Sequence, residues 1–111
     1  MGYYTNYYLE VKANSLEKMK EIVKKFNEIY QFNELDINNI GEDGIIAEFE
    51  SKWYSRDEDM LQLSRLFPDC VFELEGKGEG RDDWWISSYK NGRMATSNAE
   101  LIPPQSPNII D

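Results

Sequence analysis

Residues 4–12 read YTNYYLEVK, and this stretch decides the fold because its side chains alternate between two faces. Such alternation over eight or nine residues predicts a half-buried β-strand. The face expected to be buried carries Thr5, Tyr7, Leu9 and Val11, and the opposite face carries Asn6, Tyr8, Glu10 and Lys12. A strand with one apolar face needs a second layer against it, so the next segment is expected to supply a helix.

Residues 16–30 have the spacing of an amphipathic helix. The apolar stripe holds Leu16, Met19, Ile22, Val23, Phe26, Ile29 and Tyr30, and lysines and glutamates take the other face. Asn14 is the predicted N-cap, with Glu17 three residues later in capping-box spacing. A second helix is predicted to begin at Ser55, with Glu58 completing a capping box, and to end at Pro68.

Further strands are expected on both sides of the second helix. Residues 45–53 alternate with charged side chains on the outer face, and residues 70–75 repeat this pattern. Residues 84–90 and 93–97 flank Asn91-Gly92, which is a strong signal for a two-residue hairpin turn.

Two connecting segments are less regular. Residues 35–40 contain Leu35, Ile37 and Ile40 and are read as a possible extra strand, followed by a turn at Glu42-Asp43-Gly44. Residues 76–80 hold three glycines and are read as a flexible connection.

The order of elements predicts an α+β fold. Its expected form is a ferredoxin-like sandwich, with two helices packed on one face of a four- to five-stranded, mainly antiparallel sheet. At 111 residues the chain has room for one domain, assigned to residues 1–100, and the proline-rich residues 101–111 are expected to form a C-terminal tail.

Negative charge is concentrated in the middle of the chain. The formal net charge is −9, and residues 31–80 hold 13 acidic side chains against 4 basic ones. This surface should repel phosphate backbones, because nucleic-acid affinity comes mainly from Lys and Arg, and it could attract a basic protein surface. Solubility alone is the other explanation of the charge.

The residue types needed for common catalytic centres are scarce. The chain has no histidine and one cysteine, Cys70, which falls on the inward face of a predicted strand and is expected to be buried. We therefore expect no catalytic residues, no metal site and no cofactor. The alternatives are a small hydrolase that uses carboxylates such as those of residues 57–59 with a divalent cation, and an RNA- or nucleotide-binding module.

Aromatic and acidic side chains make up the candidate partner-binding surface. Trp84 and Trp85 are adjacent in a strand and must point to opposite faces, so one is expected to be exposed. The complete candidate set is Glu48, Glu50, Tyr54, Asp57, Glu58, Asp59, Glu73, Glu75, Trp84 and Trp85.

A series of landmarks resembles a family of small phage and mobile-element proteins with a YubB-type ferredoxin-like domain. The landmarks are Met1-Gly2-Tyr3-Tyr4-Thr5, Lys52-Trp53-Tyr54, Asp59-Met60, Leu63-Ser64, Phe67-Pro68, Phe72-Glu73-Leu74, Gly78-Glu79, Trp85 and Asn91-Gly92. The resemblance is best over residues 45–93 and carries over no active-site residues. It implies a mobile-element origin and, with it, inhibition of a host defence or nucleic-acid-handling protein through its basic surface.

The N-terminal sequence, the length of the apolar runs and the expected sheet edge bear on where the chain acts and whether it self-associates. The N-terminus does not have the pattern of a signal peptide, and no apolar run approaches the length of a membrane span, so the host cytoplasm is expected and a membrane partner is not. A host protein with a basic surface is the expected partner, direct nucleic-acid binding is not expected, and an unpaired sheet edge would allow a homodimer.

Overall fold

One five-stranded sheet organises the chain, whose computed structural model describes residues 4–30, 35–78 and 83–98. The strands are β1 (Thr5–Lys12), β2 (Gly44–Ser51), β3 (Val71–Gly78), β4 (Trp84–Lys90) and β5 (Arg93–Asn98). The helices are α1 (Leu16–Tyr30), α2 (Arg56–Leu66) and a 3₁₀ helix at Ile37–Asn39.

The strands lie in the order β2-β1-β3-β4-β5, and each neighbouring pair is antiparallel. The first predicted strand, β1, is therefore interior and pairs with both β2 and β3. Helix α2 carries the chain from β2 to β3 across β1, so these two flanking strands run in the same direction. The predicted α+β class, with two helices against an antiparallel sheet, is confirmed.

The hydrophobic core lies between the helices and one face of the sheet. The strands contribute fully buried side chains such as Leu9, Ile45, Phe72 and Leu74, and each of them was expected to face inward. From the helices come Met19, Ile22, Phe26, Tyr30, Met60 and Leu63. Among the described helices, none is long and apolar enough to cross a membrane.

Aromatic rings fill one end of this core. Trp53 packs against Tyr30 with ring centroids 4.7 Å apart and against Phe26 at 5.6 Å, and Tyr7 lies 5.5 Å from both Phe49 and Trp53. The high aromatic content of the chain is therefore mainly a property of the core.

The β4–β5 hairpin is anchored to α2. Asn91 and Gly92 have φ of 50° and 80°, so the predicted two-residue turn with positive φ at both positions is confirmed. The Gly92 N–H donates to Ser64 Oγ at 2.9 Å, and the Tyr89 hydroxyl donates to Asp57 Oδ1 at 2.8 Å.

The predicted extra strand within residues 35–40 is wrong, because local hydrogen bonds favour a 3₁₀ helix. Asp36 Oδ1 accepts from the Asn38 N–H at 2.8 Å, and Asn39 Oδ1 accepts from the Asp36 N–H at 2.9 Å. Asp and Asn side chains compete in this way with the hydrogen bonds of a strand. Within residues 35–40, Ile40 alone pairs with a strand, through a single antiparallel β-bridge to Ile45.

Both predicted helix caps need correction. At α1 the capping side chain is that of Ser15 and not that of Asn14, because Ser15 Oγ accepts a hydrogen bond from the Lys18 N–H at 3.3 Å. At α2, Ser55 makes no side-chain cap and donates to Asp59 Oδ2 at 2.9 Å, so the predicted capping box with Glu58 does not form.

The predicted glycine connection begins later than expected. Gly76 and Gly78 belong to β3, and Gly76 is buried against the Trp85 indole. The remainder of that connection, residues 79–80, and the predicted tail, residues 101–111, lie outside the described residues.

Candidate functional site

The face of the sheet opposite the helices carries five of the ten predicted partner-binding residues, namely Glu48, Glu50, Glu73, Glu75 and Trp84. Strand register places them in rows across the sheet. One row holds Glu48, Tyr8, Glu75 and Ile86, and the next holds Ile46, Glu10, Glu73 and Ser88. We call Glu10, Glu48, Glu50, Glu73 and Glu75 the acidic face.

The carboxylates of the acidic face form no ion pair with the lysines and arginines that the structure describes. The ion pairs of the described chain join Lys18 to Asp69, Lys25 to Glu28 and Arg56 to Asp57, and none of them involves a carboxylate of the acidic face. Two of its members, Glu10 and Glu73, stand directly opposite each other on neighbouring strands. Like charges in this arrangement are destabilising, so the face has an energetic cost to the fold.

A shallow depression of about 480 Å³ lies in this surface. Tyr8 lines it at the centre, between Glu48 on β2 and Glu75 on β3, with which it is in register. Glu50 and Lys77 also line it. Carboxylates around an aromatic ring can accept a guanidinium or ammonium group, through charge and through the face of the ring.

Trp84 stands at the margin of the acidic face. Its side chain is 38% exposed, and its Nε1–H donates to Glu75 Oε2. The Lys77 ammonium group lies 5.3 Å from the centre of its ring. These contacts orient the indole next to the carboxylates, so Trp84 is the exposed tryptophan that the adjacent pair was expected to supply.

Trp85 points into the core and is not available as a surface anchor, which corrects its inclusion in the predicted binding set. Its indole packs on Gly76, and the Arg56 guanidinium covers its outer side with 3.9 Å between Cζ and the ring centre. Only 8% of the residue is exposed.

The remaining predicted residues form a separate group at the start of α2, in the helix layer. Tyr54 and Glu58 are exposed. Asp59 has a structural role, because it accepts hydrogen bonds from Trp53 Nε1 at 2.8 Å and from the Ser55 hydroxyl at 2.9 Å. Asp57 is similarly engaged by Tyr89. The structure therefore does not place this group on the acidic face.

Sequence reasoning left two residues of the site out of its candidate set. Tyr8 and Glu10 were assigned to the outer side of β1, but the sequence did not show that β1 lies between two other strands of the sheet. The order of the strands brings these two side chains between Glu48 on one neighbour and Glu73 and Glu75 on the other. The alternation of residues 4–12 was the signal that could have included them.

The titratable groups of the core are held in their neutral forms. Burial raises the pKa of the Cys70 thiol, and burial together with the hydrogen bond to Asp57 raises the pKa of Tyr89. Burial also raises the pKa of Tyr7. Over the described ranges, the structure brings no three Asp, Glu or Cys side chains together in a group that could hold a metal ion.

Comparison of the chain with protein-family models, with curated proteins and with solved structures finds no match.

Proposed function

We propose that this chain is a non-enzymatic, phage-encoded binding module that acts in the host cytoplasm. Its partner in this proposal is a host defence or nucleic-acid-handling protein, and the chain inhibits it by covering a basic surface. The observation that carries the proposal is the acidic face, a band of five glutamates on the side of the sheet that neither helix covers. The phage origin in this proposal rests on the resemblance to YubB-type proteins. Helix α2 joins β2 to β3, two strands that are separated in the sheet by β1, and this split βαβ unit supports a ferredoxin-like assignment.

Charge complementarity supports a partner with a basic surface. A surface of carboxylates that are not held in ion pairs attracts Lys and Arg, and this attraction speeds encounter and selects among partners. The depression around Tyr8 has room for one or more basic side chains, and Trp84 supplies an aromatic contact next to it. Tryptophan is enriched among residues that dominate binding energy.

The test is a pull-down from host lysate with two variants of equal net charge. In the first, Glu48, Glu50, Glu73 and Glu75 are each replaced by Gln. In the control, four exposed acidic residues elsewhere, Glu17, Glu21, Glu28 and Glu42, are replaced by Gln. Captured proteins are identified by mass spectrometry, and the affinity of the recovered partner is then measured over a range of salt concentrations.

We expect the control to retain the partner and the acidic-face variant to lose it. Binding should weaken as salt rises, because exposed charges are screened. Trp84→Ala should weaken binding by about 10-fold or more, as expected for an exposed aromatic contact. Equal retention by both Gln variants, or affinity that does not change with salt, would contradict the proposal.

Nucleic-acid binding is the alternative that the geometry keeps open, because Tyr8 lies on a central strand of an uncovered sheet face, where bases could stack. The flanking glutamates oppose it, since they repel phosphates. Filter binding with single-stranded RNA and DNA at low salt separates the two functions. We expect the chain to retain no nucleic acid on the filter. Retention of RNA or DNA by the wild type and by the control variant would favour the nucleic-acid module.

A further inference from the structure

The two edges of the sheet differ. At the β2 edge the chain covers part of the strand, because Ile40 bridges to Ile45 and the Asn39 amide donates to the Ile46 carbonyl at 3.0 Å. At the β5 edge, no described segment pairs with the strand on its outer side. Residues 93–97 are all exposed. An uncovered edge strand is a template for pairing with another strand.

The hairpin geometry indicates which backbone groups point outward. Lys90 and Arg93 flank the two-residue turn and form its closing hydrogen-bonded pair. Hydrogen-bonded and non-hydrogen-bonded pairs alternate along an antiparallel ladder. The N–H and C=O groups of Met94, Thr96 and Asn98 therefore face away from β4 and remain available at the edge.

The charge near this edge distinguishes it from the rest of the molecule. Residues 84–98 contain no acidic side chain, and their two charges are Lys90 and Arg93 at the turn. By contrast, β2 carries Glu48 and Glu50. Two copies of a chain with net charge −9 therefore meet the least repulsion between acidic groups at β5.

Exposed apolar side chains also lie next to this edge. Met94 on β5 is 45% exposed, and Leu66, at the end of α2, is 49% exposed. Helix α2 packs near β5, and its Ser64 hydroxyl accepts a hydrogen bond from the Gly92 N–H in the hairpin turn. A second copy paired along β5 would approach Met94 on the edge strand itself.

We propose that β5 pairs antiparallel with β5 of a second copy of this chain. In this pairing Thr96 stands opposite Thr96 of the second copy, and Met94 stands opposite Asn98 of the second copy. The outward backbone groups of Met94, Thr96 and Asn98 then form about six hydrogen bonds between the two strands. The two-fold axis keeps the same sheet face outward in both copies, so the two acidic faces lie on one side of a ten-stranded sheet, separated by β4 and β5 of each copy. This inference goes beyond the proposed function and does not depend on it.

The test uses charge-swapped variants at two exposed positions that face each other in this pairing, Ala95 and Ser97. Sedimentation velocity of the wild type over a range of concentrations should show the mass rising from the 13.0 kDa of one chain toward twice that value. The variant Ala95→Glu/Ser97→Glu and the variant Ala95→Lys/Ser97→Lys should each remain monomeric, because like charges then stand opposite each other. Their equal mixture should regain the dimer mass.

A matched control is Ile86→Glu/Ser88→Glu, which adds the same two negative charges on β4, directly opposite Ser97 and Ala95 and one strand away from the edge. It should dimerise as the wild type does. The rescue by mixing shows that the variants fold, since an unfolded chain would not regain the dimer. A wild type that stays monomeric at all concentrations, or variants that dimerise alone as well as mixed, would overturn the proposal.

Discussion

The contact between Gly76 and Trp85 shows how one residue without a side chain positions a large one. A Cβ atom added at Gly76 would stand 2.1 Å from the Cζ2 atom of the Trp85 indole. Arg56 stacks on this ring and Tyr7 lies edge-on to it at 6.1 Å, so the indole has little room to move. The adjacent Trp84 consequently faces outward, next to the acidic face.

Gly76→Ala should therefore destabilise the fold by about 1–3 kcal/mol through overpacking. The measurement is the free energy of unfolding from urea titration. In the Trp85→Phe background the same substitution should cost less, because the smaller ring no longer occupies the position of the new methyl group.

Gly41→Ala is the matched control for this prediction. Its added Cβ would meet only the Gly44 carbonyl oxygen at 3.5 Å, which is an ordinary contact. We expect a change within about 0.5 kcal/mol. An equal loss at both glycines, or an undiminished loss from Gly76→Ala in the Trp85→Phe background, would contradict the steric explanation.

At the scale of elements, the acidic face is built by register, and register determines which charges meet. Glu73 on β3 stands opposite Glu10 on β1, whereas Glu50 on β2 stands opposite the neutral Asn6. The two glutamates therefore differ in their cross-strand neighbours on β1 although both lie on the same sheet face.

Glu73→Gln should stabilise the fold by about 0.2–1 kcal/mol, because it removes a like-charge pair. Glu50→Gln should have little effect and serves as the control. Chemical unfolding at low and high salt measures both, and the gain at Glu73 should shrink at high salt as screening weakens the repulsion. A gain of the same size from Glu50→Gln would show that the effect comes from the lower net charge of the chain and not from removal of the Glu10–Glu73 pair.

The elements themselves could mostly be predicted from local pattern. The alternation of residues 4–12 and the turn at Asn91-Gly92 depend on neighbouring residues alone, and both predictions are confirmed. The 3₁₀ helix was missed because the Asp36 and Asn39 side chains form hydrogen bonds with nearby backbone N–H groups, which apolar spacing does not reveal.

The candidate site was only partly predictable, for a physical reason. Alternation placed Glu48, Glu73 and Glu75 on the outer side of their strands, and the structure has them there. Which strands are neighbours is decided by long-range pairing. The position of Tyr8 between Glu48 and Glu75 is therefore a property of strand order that no local pattern contains.

At the scale of the whole molecule, the core and the acidic face respond differently to pH. The core buries Cys70, Tyr7 and Tyr89, and burial raises the pKa of each, so folding favours their neutral, protonated forms. The ordinary pKa values of the two kinds of group are 9.0 for the thiol and 10.0 for the phenol. A group whose pKa is raised by folding contributes stability below its unfolded pKa and loses that contribution as pH rises above it.

The free energy of unfolding should therefore fall as pH rises above about 9, where the unfolded chain begins to lose protons that the folded chain retains. Tyr89→Phe should cost about 1–3 kcal/mol at neutral pH, because Asp57 loses its hydrogen-bond donor. The same variant should show a shallower decline at alkaline pH, since one of the retained protons is gone. Urea titration at a series of pH values measures both effects. A Tyr89→Phe variant whose alkaline slope matched the wild type would show that the buried phenol does not couple folding to pH.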